Sequence, residues 1–299
     1  MQKITPNLWF DHNAREAVEF YTSVFPDSKI TGGSRYPDSK EEGLADFQLD
    51  MAGQDLTIDF QLGDLVFSAI NAGPEFKPAA AHSCMVNFDP SHDEQAREHL
   101  DQLWEKLIDG GTVLMPLDTY DFSQHFGCVQ SKSGFGWQLI LTNPEGDDRP
   151  FIIPSLMFGD GVQNRANEAI DYYVSVFQNS KRGLSYPYGQ TTGPATAEAL
   201  MFADFQLDGQ WFTANDSAVE QDFTFNEAVS YSVVCKDQAE IDYFWEKLSA
   251  NPENEQCGWC KDKFGLSWQI IPENMDELMK KPGAYETMMN QHKIVIAEY

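Results

Sequence analysis

The chain repeats itself at long range. Residues 15–25 read Arg-Glu-Ala-Val-Glu-Phe-Tyr-Thr-Ser-Val-Phe, and residues 167–177 read Asn-Glu-Ala-Ile-Asp-Tyr-Tyr-Val-Ser-Val-Phe. Each copy then reaches Ala-Asp-Phe-Gln-Leu-Asp (45–50 and 203–208), a Trp-Glu-Lys-Leu segment (104–107 and 245–248) and a closing Trp-Gln pair (137–138 and 268–269). A period near 150 residues is far too long for a solenoid, so the repeat marks a duplicated domain. With 299 residues and 42% hydrophobic content, the chain can bury two cores of ordinary size.

Charge narrows the partners. Lys and Arg number 20 against 47 Asp and Glu, for a formal net charge of -27. Phosphate binding requires clustered cations, so nucleic acid is not expected, and an anionic membrane surface is equally disfavoured. No apolar run approaches the roughly 20 residues that span a bilayer, and residues 1–6 lack a signal-peptide core. Five cysteines without a framework spacing suit a reducing compartment, and a cytoplasmic location is expected.

Within each copy the hydrophobic period alternates between strand and helix. Residues 4–10 read as a strand, Ala14 to Phe25 as a helix stopped by Pro26, and strand-like stretches follow near 29–36, 44–51 and 54–70. The order then recurs. A strand over 82–88 precedes Ser91-His92-Asp93-Glu94, read as a capping box, and a helix burying Ala96, Leu100, Leu103, Trp104 and Leu107. Strands near 112–116, 125–131 and 136–142 complete it. Four β-α-β-β-β modules are expected in all, with a turn-rich linker at 143–150 and a helical tail. The expected boundaries are 1–145 for the first domain, 151–275 for the second and 276–299 for the tail.

The strand Ile4-Thr5-Pro6-Asn7-Leu8-Trp9-Phe10, the helix ending Phe20-Tyr21-Thr22-Ser23-Val24-Phe25-Pro26 and the closing run 258–269, Gly-Trp-Cys-Lys-Asp-Lys-Phe-Gly-Leu-Ser-Trp-Gln, resemble the PhnB-like family. That family is often labelled demethylubiquinone methyltransferase-like and belongs to the vicinal oxygen chelate superfamily of glyoxalases, bleomycin-resistance proteins and dioxygenases. The resemblance covers essentially the whole chain, once per half. It implies an α+β fold of tandem glyoxalase-like domains, each of two β-α-β-β-β modules curling into an incomplete barrel around a cavity. In catalytic relatives the first and last strands of the modules contribute His or Glu to a metal site. Here the first-strand positions fall on Thr5 or Pro6 and on Ile153 or Pro154, the second-module position on His82 and Ser230, and the last-strand position on Gln138 and Gln269. Neutral amides and hydroxyls are poor ligands for a divalent ion, so no metal and no cofactor is expected.

Strand alternation adds cavity candidates. With Leu8 and Phe10 on the helix side, Asn7 and Trp9 face inward, as do Ser155 and Met157 in the second copy. Trp137 and Trp268 point to the core, which turns Gln138 and Gln269 inward. An inward amide without partners costs about 1–3 kcal/mol, so the Gln pair is the strongest site signal. His82 is expected to line the first cavity, and as the one candidate catalytic group it would act as a general base or hydrogen-bond donor. The C-x-x-C at Cys257 and Cys260 precedes a strand instead of opening a helix, which argues against thiol redox chemistry.

No glycine-rich strand-to-helix turn for a nucleotide-type methyl donor occurs in the sequence. The reading is therefore a binding protein for a small organic ligand. A superfamily enzyme of glyoxalase, dioxygenase or transferase type is the alternative, and a structural protein with plugged cavities comes third. Because single-domain relatives generally dimerise, the fused copies are expected to form an internal pseudo-dimer, a monomer or weak dimer in solution.

Overall fold

The computed structural model describes residues 2–299. The first module comprises β1 (Ile4–Phe10), α1 (Ala14–Val24), β2 (Lys29–Arg35), β3 (Asp55–Leu62) and β4 (Leu65–Asn71). The second comprises β5 (His82–Phe88), α2 (Ala96–Ile108), β6 (Thr112–Tyr120), β7 (Ser123–Gln130) and β8 (Gly136–Leu141). The third comprises β9 (Ile152–Phe158), α3 (Ala166–Val176), β10 (Lys181–Pro187), β11 (Leu200–Leu207) and β12 (Gln210–Asp216). The fourth has one strand fewer than expected: β13 (Val229–Cys235), α4 (Gln238–Leu248), β14 (Trp259–Lys261) and β15 (Ser267–Pro272). A tail with α5 (Met275–Leu278) and α6 (Ala284–Asn290) follows.

The strands form two curved, open sheets, and neither closes into a barrel. Sheet A has the order β14-β15-β13-β1-β4-β3-β2, and sheet B the order β10-β11-β12-β9-β5-β8-β7-β6. Each sheet thus draws one module from each half of the sequence. The junctions are antiparallel, β1 on β13 with Asn7 opposite Ser230, and β5 on β9 with Ser83 opposite Ser155.

Packing explains why the halves interlock. In α1 the residues Ala14, Ala17, Val18 and Tyr21 recur at helical spacing and are buried. The Tyr21 and Phe25 rings meet Trp137 of β8 at 5.3 and 4.6 Å between centroids, so a helix of sheet A packs on a strand of sheet B. Tyr173 and Phe177 meet Trp268 in the same way, both at 5.6 Å. The two modules of one sequence half are joined through this helix layer and the two halves through their sheets. One core results.

Two local expectations are corrected. Ser91 to Glu94 does not cap α2: the Asp89 carboxylate accepts hydrogen bonds from the Ser91 backbone and hydroxyl, which holds a turn there, and the helix begins at Ala96. Residues 46–51 form a 3-10 turn and not a strand. The strand of that module that matches β11 is β3, whose Asp59-Phe60-Gln61-Leu62 takes the place of Asp204-Phe205-Gln206-Leu207.

Candidate functional site

Alternation along β1 sends Ile4, Leu8 and Phe10 into the core and turns Thr5, Asn7 and Trp9 to the opposite, concave face of sheet A. There Asn7 Nδ2 donates to Ser232 Oγ at 2.7 Å and to the Thr5 carbonyl at 2.8 Å. Gln269 Nε2 donates to Ser230 Oγ at 2.9 Å. Trp9 donates from Nε1 to the Gly73 carbonyl at 2.7 Å, and its ring lies 5.0 Å from Phe76 and 6.2 Å from Trp259, edge-on to both.

Sheet B carries the corresponding face. Gln138 Nε2 donates to Ser83 Oγ at 2.8 Å and to Ser155 Oγ at 3.2 Å. Met157 follows Ser155 by two residues, on the same face and in the position Trp9 holds in sheet A. Trp137 and Trp268 are fully buried on the other side. The structure therefore gathers Asn7, Trp9, Ser230 and Gln269 on one concave face and Ser155, Met157 and Gln138 on the other.

His82 is corrected. The counterpart of Ser230 is Ser83, because Asn7 pairs with Ser230 as Ser155 pairs with Ser83. His82 lies one residue earlier, and a shift of one residue on a strand reverses the face. Its ring is 3% exposed, packs 5.0 Å from Phe225 and 6.1 Å from Tyr231, and offers neither nitrogen a hydrogen-bond partner. Burial pushes its pKa down to about 3, so the imidazole is neutral. It contacts neither concave face and has no catalytic reach.

The superfamily's metal site can be tested against these donors. The central positions hold Asn7, Ser230, Ser232 and Gln269 in sheet A and Ser155, Ser83, Met85 and Gln138 in sheet B. All are neutral, and the amides are engaged with the serine hydroxyls. No imidazole or carboxylate stands among them to hold a divalent ion. The residues do not fit a metal at these positions. A group of Asp89, His92 and Asp148 has ligand atoms within 4.8 Å of one another, but it lies on loops apart from both faces.

Two carboxylates that are at least partly buried stand on the concave faces, each two strands from the central Asn7 or Ser155 and four from the glutamine strand. Asp204 on β11 lies beside Thr213, and Asp59 on β3 beside Ser68, at matching register positions. Both oxygens of Asp204 are engaged: one accepts from Arg149 Nε at 2.9 Å and the other from the Leu184 backbone at 2.5 Å. Asp59 has no basic partner among the described residues, and burial raises its pKa, with Ser68 opposing the rise and Asp276 adding to it. Sequence reasoning missed both acids as well as Ser83 and Ser232. The signal for the acids was present, since Asp-Phe-Gln-Leu occurs at 59–62 as well as at 46–49 and 204–207.

At the end of β1, Trp9, His12, Tyr36, Phe47, Asp50, Glu75 and Met289 line a pocket of about 350 Å³, which shares Trp9 with the concave face of sheet A. A groove of about 360 Å³ beside α4 is lined by Lys3, Lys236, Glu240 and Tyr243, with Lys3 and Glu240 already paired at 2.7 Å. Cys257 and Cys260 are free thiols whose pKa values burial raises, which leaves them poor nucleophiles. No helix among the described residues is long and apolar enough to cross a membrane.

The family model described as 3-demethylubiquinone-9 3-methyltransferase matches residues 2–140 and again 150–271. No curated protein matches the chain. Among solved structures, a Bacillus cereus PhnB protein, titled a 3-demethylubiquinone-9 3-methyltransferase of putative assignment, is 35% identical over 47% of this chain and 100% of its own, with a TM-score of 0.39. The protein PA1353 from Pseudomonas aeruginosa is 21% identical over 47% of this chain and 98% of its own, with a TM-score of 0.37. A mutant of glyoxalase I from Zea mays is 13% identical, covers 93% of this chain and 95% of its own, and has a TM-score of 0.53. At that identity the last likeness speaks for the two-domain fold alone.

Proposed function

Starting from the chain's membership of the 3-demethylubiquinone-9 3-methyltransferase, or PhnB-like, family, we propose that it binds a small organic molecule on the concave face of sheet A without a metal ion. The observation that carries this reading is the donor set. Asn7, Ser230, Ser232 and Gln269 are neutral groups already ordered by hydrogen bonds to one another, and such a row suits recognition of carbonyl, hydroxyl or amide groups. The donors Asn7, Ser230 and Ser232 are buried, and the pocket beside them supplies an aromatic wall through Trp9, two residues from Asn7 on the same face. Sheet B has the same amide, but its face is partly occupied by Arg149. Only sheet A is assigned the binding role.

The methyl transfer in the family's description is the second reading. It would require a site for a nucleotide-type methyl donor, and the sequence offers no glycine-rich turn from strand to helix that would cradle one. Assembly follows from the topology: both inter-module junctions are made within one chain, so a monomer is proposed.

Metal analysis by mass spectrometry on untagged protein tests the first half of the proposal, with Gln269→Ala and Gln138→Ala as controls. Less than a tenth of an equivalent of any divalent ion is expected, and stoichiometric metal that disappears in the variants would overturn the reading. Thermal-shift screening with aromatic and amide compounds tests the second half, because a ligand of the folded state raises Tm. A rise lost in Gln269→Ala but kept in Gln138→Ala is expected. Methyl-transfer turnover that Gln269→Ala abolishes would replace binding by catalysis.

A further inference from the structure

The two concave faces differ in who supplies the positive charge. On sheet B the chain supplies it: Arg149 of the linker donates to Asp204, and its guanidinium carbon lies 4.0 Å over the ring of Trp211. Trp211 and Thr213 alternate with the buried Phe212 and so share the concave face with Asp204. The result is a cation between a carboxylate and an indole.

On sheet A, Lys261 shares the concave face with Ser230 but is already paired with Glu227 at 2.8 Å, and the pocket beside Trp9 has acids and aromatics with no Lys or Arg in its lining. Asp59 occupies the position of Asp204, and Asp50 and Glu75 line the open pocket together with Trp9, Tyr36 and Phe47. Among the described residues no Lys or Arg forms an ion pair with Asp59, Asp50 or Glu75. His12 also lines the pocket, with Nδ1 held by Asp11 at 2.7 Å and Nε2 3.5 Å from Asp50; it is the one titratable base there, and both carboxylates raise its pKa. Gly73 fixes the relation between ring and charge. Its carbonyl accepts the Trp9 indole N–H, and the Glu75 carboxylate lies so close over it that a Cβ would stand 2.6 Å from the oxygen.

On the binding reading above, the geometry points to an organic monocation as the ligand class of the sheet A pocket: a guanidinium or ammonium carrying a flat, apolar body. The body would lie against Trp9, Tyr36 and Phe47, and the charge would face Glu75 and Asp50. The chemistry of cation, carboxylate and indole is that of Arg149 on sheet B at a different place on the sheet, since Val66 stands where Trp211 does and Asp59 lies outside the pocket. An aromatic face attracts a cation through its quadrupole, and nearby carboxylates add a Coulomb attraction that a neutral isostere does not feel. The chain's net charge of -27 draws cations toward the pocket and repels anions.

The test is calorimetric titration of the full chain at pH 8 and low ionic strength with benzylguanidinium and, as its neutral isostere, benzylurea. One benzylguanidinium per chain is expected, bound about tenfold more tightly than benzylurea, with the preference falling as salt is added. Glu75→Gln should reduce the preference to about threefold while leaving benzylurea unchanged, and Trp9→Leu should weaken both. Equal binding of the two compounds would overturn the cation assignment and leave the binding reading standing. Binding of neither would likewise overturn the cation assignment, while the binding reading stands or falls with the Gln269-dependent thermal shift. Cation binding indifferent to Glu75→Gln would place the site elsewhere, a result that holds even if Trp9→Leu fails to fold.

Discussion

Residues 45–50 and 203–208 are the same hexapeptide, Ala-Asp-Phe-Gln-Leu-Asp, in two conformations. In the second half it lies in β11, with Phe205 wholly buried and Asp204 holding Arg149. In the first half it forms a 3-10 turn beside the sheet A pocket, with Phe47 72% exposed and Gln48 turned inward to accept from Tyr285 of the tail at 3.0 Å. Identical local propensity gave two answers because a strand needs a partner ladder and a face to bury. In the first half Asp59 to Leu62 takes the ladder first, and the earlier copy is left to cover the mouth.

Breaking that comparison begins with the two phenylalanines. Phe205→Ala should cost about 3–5 kcal/mol in urea unfolding, the price of a buried aromatic and the cavity it leaves. A loss under about 1 kcal/mol would mean that β11 does not fill the core.

His82 separates the halves next, since its counterpart on β13 is Val229. Its folded pKa, near 3, lies below the ordinary value of 6.5. The unfolded chain therefore takes up the proton first as pH falls, and stability present above pH 6.5 is lost toward pH 3. Between pH 6.5 and 4 the loss amounts to about 3 kcal/mol. Measured as the difference in urea midpoints between the wild type and His82→Leu, that slope should disappear in the variant.

Asp262 offers a smaller contrast. Its carboxylate accepts from Tyr173 Oη at 2.7 Å, Trp268 Nε1 at 2.9 Å and the backbones of Phe264 and Leu266 at 2.8 and 3.1 Å. The first half has Ser131 in that turn, bonded to Tyr21, and its Trp137 Nε1 has no partner. Asp262→Ser transplants the first half's arrangement and should cost about 2 kcal/mol by chemical denaturation. An unchanged midpoint would show that the turn holds without its carboxylate. The smallest effect belongs to Phe47→Ala, which should shift unfolding by less than about 0.5 kcal/mol, because the ring is exposed. In the same protein it should weaken benzylguanidinium binding, and thereby separate the pocket role of this copy from the folding role of the other.

Much of the fold was legible. The helices Ala14–Val24 and Ala166–Val176, the inward Asn7 and Ser155 and the core positions of Trp137 and Trp268 follow from periods of 3.6 and 2, which one-dimensional pattern records. Gln138 and Gln269 were legible by the same alternation. His82 was misplaced because its face depends on a register offset of one residue, and register is set by a partner strand more than 70 residues away. Ser83 was overlooked for the same reason. Asp59 was hidden behind the earlier Asp46, which fits the repeat better by letter and not by ladder.

By itself the sequence determined the duplication, the alternating order of strands and helices and the acidic character. These are properties of composition and of local period. The tertiary structure decided which modules share a sheet, which of two identical hexapeptides becomes a strand and which concave face keeps an open pocket. Each of those outcomes rests on contacts between residues far apart in the chain: β1 against β13, Gln48 against Tyr285, Arg149 against Asp204. Local propensity is nearly equal for the alternatives, so burial and pairing across the chain make the choice.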